Sequence, residues 1–197
     1  MDRYRNFKEL AASEKPNAFS IVSINRQSSV CIIAPHGGKI EPGTSELVRA
    51  VAGEHFSFYL FEGRKSAGNR DLHITSTNFD EPSGLSLVQE SDMAIAIHGC
   101  RGSDEIIYLG GRHRGLAEIL AETLTRRGFA VDVHRDPMLQ GADHRNICNR
   151  GRFEMGIQFE LTRALRNRLR CSSEGQIAPT LSDFVDSIRE AANEIGK

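Results

Sequence analysis

The chain has 197 residues, 39% hydrophobic and 26% charged, the makeup of an ordinary globular domain long enough to bury a core. With 25 Lys and Arg against 26 Asp and Glu, its net charge of −1 argues against bulk attraction to nucleic acid or to an anionic membrane. No apolar run approaches the ~20 residues that span a bilayer, and the start of the chain lacks the apolar stretch of a signal peptide. Four cysteines (Cys31, Cys100, Cys148, Cys171) without a Cys-x-x-Cys pair predict reduced thiols and a cytoplasmic location.

In chain order, Phe19–Ile24 and Val30–Ala34 predict two strands. Thr44 or Ser45 is placed to cap a helix running through Leu47, Val48 and Val51 to Gly53. Strands follow at Phe56–Phe61, Leu72–Thr75, Met93–Ile97 and Ile106–Leu109. A helix after Gly115 carries Leu116, Ile119, Leu120, Thr123 and Leu124 on one face and stops at Gly128. Phe129–Val133 and Met155–Phe159 complete the strands. A last helix begins near Leu181, with Phe184, Val185, Ile188 and Ala192 at helical spacing. This alternation predicts an α/β fold, an open mixed β-sheet flanked by helices, in a single domain over residues 1–197. The short, hairpin-like step from Phe19–Ile24 to Val30–Ala34 predicts that the sheet is mixed and not wholly parallel.

Open α/β sheets bind ligands at the carboxyl ends of their strands. Two predicted strands end there on histidine: Val30-Cys-Ile-Ile-Ala34 leads through Pro35 to His36, and Met93-Ala-Ile-Ala-Ile97 leads to His98. Each histidine opens a glycine-rich turn, where backbone can approach an ion or substrate closely. Glu41, across the Gly37-Gly38 turn, can fold back toward the same point. Two imidazoles and a carboxylate form a hydrolytic zinc set with a coordination position left for water. The alternative for a histidine at a strand end is a hydrogen-bonded turn residue.

Alternation along Met155-Gly-Ile-Gln-Phe-Glu160 puts Ile157 and Phe159 on one face and Gln158 and Glu160 on the other. Glu160 is therefore either a general base beside the metal or an exposed acid opening the next helix. Between Asp143 and Arg170 lie seven arginines and three acids. Such a segment suits a pocket for carboxylates or phosphates, a solvated helix face carrying Arg163, Arg166 and Arg170, or a nucleic-acid contact, though no recognised nucleic-acid motif accompanies it. A cysteine hydrolase through Cys100 lacks a nucleophile-elbow context.

Five blocks carry a resemblance: His36-Gly-Gly-Lys-Ile-Glu41-Pro-Gly-Thr-Ser45, Leu72-His-Ile-Thr-Ser-Thr-Asn-Phe79, Ile97-His-Gly-Cys-Arg-Gly102, Asn146-Ile-Cys-Asn-Arg-Gly151 and Gly156-Ile-Gln-Phe-Glu160. The chain resembles the phage-type poly-γ-glutamate hydrolases, zinc carboxypeptidase-like enzymes, from about Val22 to Arg166. The resemblance implies a carboxypeptidase-like core and one Zn2+ per chain held by His36, Glu41 and His98. It also implies cleavage of γ-glutamyl amides of poly-γ-glutamate or related peptides by metal-activated water, with Glu160 activating the water. Arg101, Arg150 or Arg163 would bind substrate carboxylates, and His73 would have a near-site hydrogen-bonding or a structural role. A protein of this kind without a signal peptide would be released by lysis if phage-derived, or would work inside the cell. The competing functions are a zinc amidohydrolase of small N-acylated acidic amino acids and a non-catalytic, replication-related nucleic-acid-binding accessory.

Overall fold

A computed structural model describes residues 2–171 and 178–195. Its strands are β1 (Phe19–Ile24), β2 (Val30–Gly38), β3 (Ser57–Gly63), β4 (Met93–Gly99), β5 (Ile106–Gly111), β6 (Ala130–Asp132) and β7 (Ile157–Leu161), in the spatial order β1-β3-β2-β4-β7-β5-β6. The four central strands β3, β2, β4 and β7 run parallel, β1 pairs antiparallel with β3, and β5 pairs antiparallel with β7. The sheet is open and mixed, as the alternation predicts.

The hairpin-like step between β1 and β2 does not pair those two strands with each other. β1 lies against β3, so the chain steps over one strand between β1 and β2. Burial gives the reason. β2 is buried along nearly its whole length and takes two parallel neighbours, whereas β1, with Ser20 and Ser23, tolerates the partly exposed edge. Leu72–Thr75 is not a strand either. Leu72 ends a 3₁₀ turn (Asn69–Leu72), and His73 to Thr75 pair with no strand of the sheet. Leu72 and Ile74 are nevertheless completely buried, and that burial is what makes the run look like a strand.

Helices α1 (Phe7–Ser13), α2 (Thr44–Ala52), α3 (Pro82–Glu90), α4 (Arg114–Arg126), α5 (Arg163–Cys171) and α6 (Leu181–Ile195) cover the sheet. Ile32, Leu60, Ile95 and Phe159 point to one side, where they pack with α2, α4, α5 and α6. Ile33, Tyr59, Phe61 and Ala94 point to the other, against Leu10, Leu87, Phe79, Leu72 and Ile74. Each fully buried Phe or Leu contributes roughly 1.5–3 kcal/mol relative to exposure. The cavity described below opens at the carboxyl ends of the parallel strands. No helix among the described residues is long and apolar enough to cross a membrane.

Candidate metal centre

Parallel pairing of β2 with β4, through Ile32 opposite Ile95 and Ile33 opposite Ala96, delivers the ends of both strands to one place. There His36 and His98, each 2% exposed, turn their Nδ1 atoms toward one another at 3.0 Å. Glu41 comes back over a turn closed by its own N–H on the His36 carbonyl, at 3.0 Å. Gly38 has φ +61, and a Cβ on Gly37 would meet Ser45 Oγ at 2.5 Å, so both positions require glycine. Thr44 and Ser45 do not cap α2; Gly43 stands at that position. Their hydroxyls brace the turn instead: Thr44 Oγ1 donates to the Glu41 carbonyl at 2.9 Å and Ser45 Oγ accepts from Gly38 N–H at 2.8 Å.

The Glu41 carboxylate lies 3.4 Å from His36 Nδ1 and 3.7 Å from His98 Nδ1. One ligand atom from each of the three residues falls within 4.8 Å of the other two. The tautomer of His36 follows from its other nitrogen. Nε2 faces the Ile74 carbonyl at 2.7 Å, and a carbonyl only accepts, so Nε2 carries a proton, which in the neutral imidazole leaves the lone pair on Nδ1. A backbone carbonyl holding the outer nitrogen of a ligand imidazole is the usual support of a metal site. Burial opposes ionisation of Glu41, but the two imidazoles prevail and hold its carboxyl well below the usual carboxylate range. Two nitrogens and a carboxylate converging in a buried place suit a divalent cation of zinc type.

His98 stands opposite Glu160 in the β4–β7 ladder. Ile157 and Phe159 enter the core while Gln158 and Glu160 line the cavity, as alternation predicts. Glu160 is 5% exposed, so it is not a surface acid at a helix start. Gln158 Nε2 donates to Glu160 Oε1 at 3.2 Å and to the Leu139 carbonyl at 3.0 Å, while Asn146 Nδ2 donates to Gln158 Oε1 at 2.8 Å. Burial, with the charge of Glu41 nearby, pushes the Glu160 carboxyl well above its ordinary value. His73 stacks on His36 with ring centroids 3.9 Å apart, and its Nδ1 bonds Asp2 at 2.7 Å. The adjacent His36 and burial push its pKa down to about 4.

These groups line a cavity of about 570 Å³ whose wall also carries Arg70, Arg101 and Arg145. Arg145 is paired with Asp143, whereas Arg70 and Arg101 have no ion-pair partner among the described residues. Arg150 and Arg163 lie outside the cavity lining, and Arg163 is exposed on α5. No sequence pattern marks Arg70, which stands in the 3₁₀ turn Asn69–Leu72. Within the arginine-rich segment, Arg145, Arg152, Arg168 and Arg170 pair with acids and Arg166 is buried, which leaves little of a free basic face. Burial and the neighbouring Glu160 push the Cys100 thiol up to about 11, so no thiolate nucleophile stands ready at neutral pH.

The comparisons agree with this fold. YoqZ, an SPbeta prophage-derived protein of Bacillus subtilis (strain 168), is 41% identical over 169 residues, 85% of this chain. The chain spans only 61% of that relative's length. A solved bacteriophage poly-gamma-glutamate hydrolase matches with a TM-score of 0.91 at 30% identity, over 100% of this chain and 99% of the other. The zinc-free form of YndL matches with a TM-score of 0.89 at 34% identity, over 99% of each chain. The family model for poly-gamma-glutamate hydrolase matches residues 4–186, a span that takes in every strand of the sheet and all the residues of the site, and the chain belongs to that family.

Proposed function

We propose that this chain is a zinc-dependent hydrolase of γ-glutamyl amide bonds, acting on poly-γ-glutamate or related peptides as a single catalytic domain. The observation that carries the reading is the convergence of His36 Nδ1, His98 Nδ1 and the Glu41 carboxylate beside a buried carboxyl, Glu160, at the floor of an arginine-rimmed cavity. Family membership supports the substrate class. The existence of a form of YndL described as zinc-free supports the choice of metal.

His36, Glu41 and His98 would hold the ion, which supplies Lewis acidity for the amide carbonyl and lowers the pKa of the attacking water toward ~7. The remaining work falls to side chains of the chain itself. Glu160 takes the proton of the water and passes it to the leaving nitrogen, so that the amine departs neutral. Gln158 holds the Glu160 carboxyl in place for both transfers. Arg101, beside the His98 turn, serves as a donor to the oxygen that gains charge or to a substrate carboxylate. Arg70, also on the cavity wall, offers its guanidinium to the free α-carboxylate of a neighbouring glutamyl unit. Synthesis in the cytoplasm with release on lysis belongs to the same reading.

The test is incubation of the purified chain with poly-γ-glutamate before chelation, after chelation and after zinc is restored. Chain shortening that stops on chelation and returns with zinc is the expected result. Cleavage of a small N-acyl glutamate with the polymer left intact would overturn the substrate, and full activity after exhaustive chelation would overturn the mechanism.

A further inference from the structure

One buried positive charge beside the centre is not on the cavity wall. Arg166, on α5, is only 3% exposed. A buried guanidinium ordinarily takes a carboxylate partner. This one forms no ion pair among the described residues and spends its donors on three backbone carbonyls. Nε donates to Leu161 O at 3.1 Å, one terminal nitrogen to Pro42 O at 2.6 Å, and the other to Cys100 O at 3.0 Å.

The identity of those carbonyls is the informative point. Pro42 follows Glu41, Leu161 follows Glu160, and Cys100 lies two residues after His98. One rigid planar fork therefore ties together the turn carrying the ligand carboxylate, the strand end carrying a ligand imidazole and the strand end carrying the general base. Two glycines make room for it. A Cβ on Gly99 would run into the Arg166 guanidinium, and one on Gly43, where φ is +103, would come within 3.2 Å of Arg166 Cβ. Burial lowers the pKa of the guanidinium, and the charges of Glu41 and Glu160 work in the other direction.

Resting on the hydrolase reading above, we propose that Arg166 is the positioning residue of this centre, setting the separation between the His36–Glu41–His98 group and Glu160 by joining the backbone that follows each element. It touches neither ion nor substrate; it acts through three peptide carbonyls. Lysine is a poor replacement, because a single ammonium on a flexible stem cannot reproduce a planar fork aimed at three fixed acceptors. Outer partners of this kind alter metal affinity or turnover by about 10–100-fold when removed.

The experiment uses the full chain with Arg166→Ala and Arg166→Lys, and Asn167→Ala, exposed on the same helix, as control. Thermal unfolding first identifies folded variants; zinc affinity is then measured by chelator competition, and polymer cleavage gives kcat and KM. Both Arg166 variants should bind zinc about 10–100-fold more weakly. At saturating zinc, kcat should fall by about as much, with KM within about threefold. Guanidinium ion at about 20 mM, far below the molar denaturing range, should restore part of the loss in Arg166→Ala and none in Arg166→Lys. If Arg166→Ala does not fold, the zinc affinity of Arg166→Lys decides. Zinc affinity and kcat within twofold of wild type in a folded variant would overturn the proposal, as would an equal loss in Asn167→Ala. Wild type that binds zinc but leaves the polymer intact would overturn the hydrolase reading and leave zinc affinity to decide on Arg166. Wild type that binds no zinc would overturn both.

Discussion

Glu41 accepts the backbone N–H of Gly99 through Oε2 at 2.9 Å, so the carboxylate that turns back from β2 is bonded to the residue immediately after His98 on β4. The bond crosses from one predicted metal-bearing loop to the other. It fixes one carboxylate oxygen while the other faces His36 Nδ1 at 3.4 Å. Chelation and loop geometry are thus coupled in one side chain, and its substitutions separate the two. Glu41→Gln can still accept from Gly99 but no longer carries the charge that holds a cation. Zinc affinity should fall at least about tenfold with little change in unfolding temperature, read by chelator competition beside a thermal melt. Undiminished affinity would remove Glu41 from the ligand set.

Glu160→Gln tests the proton-transfer role. Glutamine preserves shape and removes the base, and the buried site no longer has to accommodate an ionisable group. Zinc content should be unchanged while kcat on poly-γ-glutamate falls by about 10²–10⁴-fold. Turnover within a few-fold of wild type would exclude Glu160 from the chemistry.

The rim arginines divide binding from catalysis. Arg70→Met and Arg101→Met each remove from the cavity wall one cation that has no ion-pair partner among the described residues. Loss of a charge-assisted hydrogen bond worth about 1.5–3 kcal/mol predicts a drop in kcat/KM of about 10–100-fold. For Arg70 the change should appear mainly in KM and weaken as salt is raised. Arg163→Met, which lies outside the cavity, should leave KM unchanged; a rise equal to that of Arg70→Met would bring Arg163 back as a substrate contact.

Gly84 offers a stability test away from the chemistry. It faces the buried Tyr59 ring across the contact of α3 with β3, and a Cβ there would come within 2.7 Å of the ring. Gly84→Ala should cost about 1–3 kcal/mol in urea unfolding through overpacking while zinc affinity stays as in wild type. A neutral or stabilising result would mean that the ring moves aside freely.

His36 and His98 were legible in the sequence because an apolar run ending on histidine and glycine marks a strand end, and strand ends carry sites in open α/β sheets. Gln158 and Glu160 followed from two-residue alternation, with Ile157 and Phe159 fixing which face is core. Pairing was less legible. The short step between β1 and β2 resembles a hairpin, yet adjacency in the sheet is decided by which strands bury both faces, a property of the assembled layers. Leu72 and Ile74 misled for a related reason, since full burial of alternate residues also occurs in an extended segment pressed against a sheet. α3 announces itself only through Glu81, which caps the helix ahead of Pro82, because Ser83, Gly84 and Ser86 dilute its apolar stripe. Arg166 shares its spacing with exposed Arg163 and Arg170. Only three-dimensional structure brings Pro42, Cys100 and Leu161 around one of the three guanidinium groups.

The most direct test of the central claim is the metal content of protein purified without a metal-chelating tag, measured by elemental analysis for wild type and His36→Ala in parallel. The account predicts about one zinc per wild-type chain and essentially none in the variant. Wild type that holds no zinc and takes none up on addition, or a His36→Ala variant that retains the full complement, would contradict it.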